Sequence, residues 1–172
     1  MALEQPSYRV LKTLDGIEYR DYEPYKIAVC RLENLDDLNR ASSQGFRYLF
    51  NYISGENQSR QKVAMTVPVI QKPADAGWSI SFVVPKSFYA TGAPEPSNSM
   101  VKIDDVAGGR VAALRYRGFW NSDRFDEKRS ELLEKLRKQG TETVGDAFSA
   151  VYNPPMTPPF LRRNEVLIRL AN

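Results

Sequence analysis

The side chains best placed to do chemistry lie between Tyr152 and Glu165. There four prolines, Pro154, Pro155, Pro158 and Pro159, carry Met156 and Phe160 ahead of Arg162 and Arg163. Each proline fixes φ, removes a donor and presses the preceding residue into extended geometry. The segment is expected to be a stiff, extended lip between two strands, neither helix nor sheet interior. Rigid apolar side chains beside paired guanidinium groups suit a flat apolar ligand that carries acids. The same pattern also reads as an ordered loop closing one end of a domain. What is missing narrows the rest. With no histidine and one cysteine, Ser-His-Asp and Cys-His nucleophilic sites, His-ligated zinc or iron and thiolate clusters are all excluded. General acid–base work would fall to carboxylates, Lys or Tyr. Gly108-Gly109 precedes a strand pattern, so it reads as a hairpin turn and not as a phosphate-cradling loop.

A chain of 172 residues with 42% hydrophobic and 26% charged content reads as one soluble domain able to bury roughly two-thirds of its unfolded surface. The net charge of +3 is scattered and not striped, which argues against a dedicated nucleic-acid binder. No apolar run is long enough to span a bilayer. The first residues lack the basic and apolar regions of a secretion signal. A lone Cys30 excludes an internal disulfide and fits a reducing compartment, so the expected location is the cytoplasm.

Positioning these residues requires a specific series of elements. Tyr8 to Leu14 and Ile17 to Tyr22 are expected to pair around Asp15-Gly16, a type I′ turn signal. A strand from Ile27 to Leu32 follows. Asn34 is expected to cap a helix carrying Leu35, Leu38, Phe46, Leu49, Phe50 and Ile53 mostly on one face, ended by Gly55. Gly45 inside that helix costs about 1 kcal/mol relative to Ala and suggests close approach of a backbone or ligand. Strands Val63 to Gln71 and Trp78 to Val84 come next. In the second half, Val101 to Val106 and Arg110 to Arg117 are expected to form a hairpin around Gly108-Gly109. Ser122 caps a helix with Phe125, Leu132, Leu133 and Leu136, stopped by Gly140. Phe148 to Tyr152 and Val166 to Leu170 flank the lip. The halves, about 8–88 and 100–172, share one order of elements joined by a Pro- and Gly-containing link from Tyr89 to Ser99. They are expected to share one curved antiparallel sheet bearing two helices.

Three spaced motifs carry a resemblance to a known family. They are Gly45-Phe-Arg-Tyr-Leu-Phe-Asn-Tyr-Ile-Ser-Gly-Glu-Asn57 running into Val63-Ala-Met-Thr-Val-Pro-Val69, then Gly118-Phe-Trp120, then Tyr152-Asn-Pro-Pro-Met-Thr-Pro-Pro-Phe-Leu-Arg-Arg-Asn-Glu-Val166. Over nearly its whole length the chain resembles the SOUL, or heme-binding protein, family. The resemblance implies an α+β fold in which two βαββ-type halves form a distorted barrel-like antiparallel sheet with two main helices, related to gyrase-inhibitor-like ligand-binding domains. It also implies non-covalent binding of heme or a related tetrapyrrole in a shallow apolar cleft beside the first helix. Some members carry a histidine proposed as an iron ligand, and this chain has none. Others carry basic residues where Ser43 and Thr157 stand here.

The expected ligand contacts are therefore Phe46, Arg47, Leu49 and Phe50 on the first helix, Met65 after it, and Met156, Phe160, Arg162 and Arg163 in the lip. Arg47, Arg162 and Arg163 are the nearest cations for two propionates. Leu49 and Ile53 read more readily as core. A thioether can ligate heme iron, but Met65 and Met156 read more readily as packing. Arg162 and Arg163 read equally as structural, with one pairing to Glu165 or to lip carbonyls. Burial of a porphyrin face at about 25 cal/mol/Å² gives useful affinity without an iron bond. The leading expectation is a heme carrier or buffer, with a protein partner in heme transfer. Two alternatives stand beside it. One is a gyrase-inhibitor-like module for other apolar molecules or proteins, for which Glu165 is the best-placed acid. The other is an enzyme removing the metal of a tetrapyrrole, with Tyr48, Tyr152 or Glu165 as proton donor.

Overall fold

The computed structural model describes residues 2–172. Strands β1 (Tyr8–Leu14) and β2 (Ile17–Tyr22) form the expected hairpin, with Asp15 and Gly16 at φ of 52° and 77°. Strand β3 (Tyr25–Glu33) leads into helix α1 (Leu38–Ile53), followed by β4 (Val69–Ala74) and β5 (Gly77–Val83). Then come β6 (Val101–Val106), β7 (Gly109–Tyr116), helix α2 (Ser122–Lys138), β8 (Thr143–Val151) and β9 (Asn164–Leu170). All nine strands pair antiparallel in one curled sheet, in the order β1-β2-β7-β9-β8-β4-β5-β3-β6. This is an α+β half-barrel with two helices.

The pairing differs from the sequence expectation at one informative place. β6 and β7 do not form a hairpin around Gly108-Gly109: β6 pairs with β3, and β7 with β2. The chain thus crosses between the ends of the sheet twice, after β2 and after β6. The crossings touch, because a Cβ on Gly108 would stand 2.5 Å from the Tyr22 carbonyl oxygen and 3.0 Å from the Pro24 ring. Glycine is needed there for passage of backbone against backbone.

Local differences have equally local causes. Asp37, and not Asn34, caps α1 by accepting from the Asn39 and Arg40 amides. Asn34 instead turns at φ 60° and donates its amide to Ala76. Asn121, one residue before Ser122, caps α2 by accepting from the Arg124 amide. β4 starts at Val69 and not at Val63, since Pro68 has no amide with which to continue a ladder. β8 starts five residues early, at Thr143, because a bulge after Val144 with Gly145 at φ 73° hides its alternation.

The helix-bearing face holds two cores. Leu38, Ala41, Leu49, Tyr52 and Ile53 of α1 pack with Ala28, Cys30, Leu32, Ile80 and Phe82. Phe125, Leu132 and Leu136 of α2 pack with Ile17, Leu114, Val166 and Ile168; Leu133 lies outside this stripe. A smaller cluster of Val111, Ala113, Ala150 and Leu167 lies on the opposite face. There a single groove is lined from both ends of the sheet, by Tyr22 of β2 and Val106 of β6. That face is therefore concave.

Candidate functional site

Helix α1 packs on β5, β3 and β6, while α2 packs on β9 and β7. The two central strands, β4 and β8, run through the seam between the helices. Cα partners Phe82, Val69, Val151, Asn164 and Tyr116 make one row across five strands under this seam. Trp78 closes one end, donating its indole N–H to the Asp36 carbonyl and meeting Phe125 edge-on at 6.0 Å. The other end is open. Phe46 sits there at the edge of the α1 stripe, edge-on to Phe82 at 5.3 Å and parallel to Phe50 at 5.9 Å, four residues on. Phe46 and Phe50 remain 40% and 49% exposed, so two stacked aromatic faces stay in contact with water. Gly45 is what seats α1 so closely, because a Cβ there would stand 2.7 Å from Ile80.

The lip stands at the far side of the same row. It is not fully extended: Pro154 accepts from the Thr157 amide, and Pro159–Leu161 makes one turn of 3₁₀ helix that Pro159 can begin because the first position needs no donor. Arg162 stiffens this shape by donating Nε to the Thr157 carbonyl (2.8 Å) and Nη2 to that of Pro155 (2.6 Å). Gly118 donates to Pro159, and Asn164 Nδ2 to Gly118, which ties the lip to the Gly118-Phe119-Trp120 corner. Trp120 donates to Ser149 Oγ on the seam floor (3.1 Å). From Phe82 to Val151 the row spans two strand spacings, about 10 Å. Three buried oxygens on this face, Gln71 Oε1, Asn164 Oδ1 and the Tyr116 hydroxyl, have no partner among the described residues. Burial pushes the Tyr116 hydroxyl up to about 12, so it is a neutral donor.

The expected contacts thus separate into groups. Phe46 and Phe50 form the exposed aromatic patch. Leu49 is completely buried beneath it. Met65 is half-buried against the α1 core. Met156 and Phe160 project from the lip, 95% and 68% exposed. Of the three arginines, Arg162 is occupied by lip carbonyls and Arg163 by Glu165. Arg47 is exposed, in no ion pair among the described residues, with its guanidinium 5.5 Å from the Tyr48 ring centre.

A charge cluster on the concave face holds the residue that sequence reasoning missed, Arg20. Both its side chain and that of Glu165 are fully buried, and two parallel bonds of 2.8 Å join them. Arg163 donates Nε and Nη2 to Glu165 Oε2 (3.1 and 2.9 Å), and Tyr152 donates to Oε1 (3.0 Å). Arg20 also donates to Glu18 and to the Tyr22 hydroxyl, and lies 4.4 Å over the Tyr8 ring. Burial alone would raise the Glu165 carboxyl, but hydrogen bonds and charge from Arg20, with Arg163, hold it below the usual range. Burial, with the Glu165 charge, drives the Tyr152 hydroxyl far upward, and burial pushes Tyr22 up to about 12 despite Arg20. Glu165 is therefore an ionised carboxylate already matched by the guanidinium groups of Arg20 and Arg163, with Arg115 Nε a third cationic contact at 3.5 Å. The only sequence signal for Arg20 is its place on the same side of β2 as Tyr22, in alternation with Ile17 and Tyr19.

Comparisons with known proteins agree with this architecture. Residues 3–169 match the family described as SOUL heme-binding protein. Mouse heme-binding protein 2 is 31% identical, over 99% of this chain and 88% of its own. Human heme-binding protein 2 is 32% identical, over 90% and 78%. Among solved structures, the EcmrR C-terminal domain superposes with a TM-score of 0.69 over 96% of this chain and 98% of its own, at 7% identity. SAV2435 bound to tetraphenylphosphonium superposes with 0.56 over 96% and 94%, at 10% identity. These two likenesses show a shared fold. No helix among the described residues is long and apolar enough to cross a membrane. Sequence and architecture together lead to one conclusion: the chain belongs to the SOUL heme-binding protein family.

Proposed function

We propose that this protein binds heme or a related tetrapyrrole non-covalently at the open end of the inter-helix seam, and acts as a carrier or buffer. The observation that carries this reading is the stacked, half-exposed Phe46–Phe50 pair beside Val69 and Val151, which stay half-buried on the two strands between the helices. A porphyrin is a large apolar disc, and an aromatic face next to Val69 and Val151 offers it area to bury. Phe160 of the lip, with Met156 and Met65, extends the wall, while Leu49 supports it from below. Arg47, free of ion pairs, is the cation to which a propionate gains a charge-assisted bond. Arg162 and Arg163 hold the lip and its root in place.

The grip rests on the ring face and not on the metal. No imidazole is available, and the two candidate thioethers stand apart, Met156 in solvent and Met65 against the core. A carrier must release its cargo, and face packing without an iron bond suits release to a protein partner. The two crossings of the sheet support reading the chain as one domain of two repeated halves. The lone buried Cys30 suits a reducing compartment such as the cytoplasm.

Titration with hemin and with protoporphyrin IX tests this. Protoporphyrin is expected to bind within about tenfold of hemin, or 1.4 kcal/mol, and bound ferric heme to lack the spectrum of bis-histidine ligation. A loss of more than about a hundredfold, 2.8 kcal/mol, on removing the iron overturns the face-packing account.

A further inference from the structure

The concave face carries a groove that the seam does not use. It encloses about 540 Å³ on the side of the sheet away from both helices. Its floor is aliphatic, with Ile27, Val29, Ile70, Val111 and Leu167. Its end wall is aromatic: the Tyr8 and Tyr22 rings lie 4.8 Å apart, Tyr22 and Tyr25 6.3 Å, and Tyr152 and Phe148 complete the lining. Three of these phenols are turned away from the groove by the charge cluster behind it. Tyr22 accepts from Arg20, Tyr152 donates to Glu165, and Tyr8 accepts from Arg163. What remains toward the cavity is ring.

The charges around this groove select the sign of an occupant. Asp104 is bridged by Arg31 and Asp105 by Lys26, both at 2.6 Å. Glu165 behind the wall is saturated by Arg20 and Arg163. The two remaining ionic residues of the lining, Lys72 and Arg169, are in no ion pair among the described residues. Lys72 stands 6.0 Å from the Phe148 ring centre, and Arg169 donates only to the carbonyls of Ala107 and Gly108. Every carboxylate near the cavity is thus already matched, and two cations are not.

We propose that this groove is a second binding site, separate from the tetrapyrrole surface, for a small aromatic anion: a flat ring system bearing one carboxylate or sulfonate. The rings and aliphatic floor take the apolar body, and Lys72 or Arg169 takes the acid. A site of this volume with an apolar lining and a few charged groups at its rim has the character of a small-molecule site.

The test uses 8-anilinonaphthalene-1-sulfonate as the anionic probe and tetraphenylphosphonium as the cationic one, both by calorimetry on the full chain. One sulfonate per chain is expected, with unchanged stoichiometry and affinity after saturation with hemin. One-for-one displacement by hemin overturns the claim of a separate site. Ser79→Trp, which fills the groove from a half-buried position, is expected to abolish sulfonate binding. Lys72→Glu, at an exposed side chain, is expected to weaken it about tenfold. Phe50→Ala, on the other face, is expected to leave it unchanged. Unaltered binding in both groove variants, or tighter binding of the phosphonium than of the sulfonate, overturns the proposal.

Discussion

The two faces of the sheet solve opposite problems with the same alternation of side chains. On the helix-bearing face, α1 and α2 bury most of the apolar residues, while Val69 and Val151 stay half-buried, Phe46 and Phe50 of α1 stay exposed, and Arg47 is in no ion pair among the described residues. On the concave face, Arg20, Glu165 and Arg163 are buried and matched to one another, with tyrosines closing over them. The lesson is that exposed apolar surface and buried charge carry different consequences. Unsatisfied aromatic area is free energy still available to a ligand. A buried ion network is committed to the fold, and removal of one member leaves the others desolvated without a partner. Substitutions on the two faces should therefore separate stability from binding.

The largest effect tests the concave side. Glu165→Gln strands the buried Arg20 and the largely buried Arg163, and removes the partner of the more exposed Arg115. It is expected to cost about 3–5 kcal/mol in chemical denaturation, with hemin affinity of the folded protein unchanged. The pH dependence follows from the depressed carboxyl. Its stabilising effect is complete above the unfolded value of about 4.3 and is lost as pH falls through the lower folded value. Wild type should therefore lose stability below about pH 4 more steeply than Glu165→Gln does. Equal acid sensitivity would break the assignment of Glu165 as the acid-labile partner.

A smaller loss is expected at the seat of α1. Alanine at Gly45 gains about 1 kcal/mol of helix propensity but collides with Ile80, and overpacking of this kind costs about 1–3 kcal/mol. Gly45→Ala should lower the melting temperature and shift the Phe46–Phe50 patch, weakening hemin as well. A stabilised variant would show that α1 sits less tightly than its contact with Ile80 implies.

Phe50→Ala sharpens the contrast from the binding side. Since Phe50 is half-exposed, truncation should spare the fold while weakening hemin and protoporphyrin together by about tenfold, 1.4 kcal/mol. A large fall in stability with unchanged affinity would move the tetrapyrrole away from the seam. The smallest effect belongs to the lip. Replacing Pro158 and Pro159 together by alanine raises the entropy of the free segment and should weaken tetrapyrrole binding by roughly 1 kcal/mol with the fold intact. A lower melting temperature with unchanged affinity would make the lip a closing loop alone.

What the sequence by itself determined is local or carried by its family motifs. Asp15-Gly16 specified its hairpin, the 3.6-residue stripe of Leu38 to Ile53 specified which side of α1 is buried, and the absence of histidine limited how an iron could be held. The motifs placed the chain in the SOUL family, and with it the α+β half-barrel. Tertiary structure alone decided the rest, because it depends on what meets across the sheet. Gly108-Gly109 looked like a hairpin turn, but β6 and β7 lie in opposite halves of the sheet, and Gly108 instead passes close against the backbone at Tyr22 and Pro24. Arg162 and Arg163 looked alike in the chain. One now braces lip carbonyls and the other joins Arg20, 143 positions earlier in the sequence, around Glu165. Alternation assigns a residue to a face, but curvature of the sheet chooses its partner there, and that curvature is a property of all nine strands together.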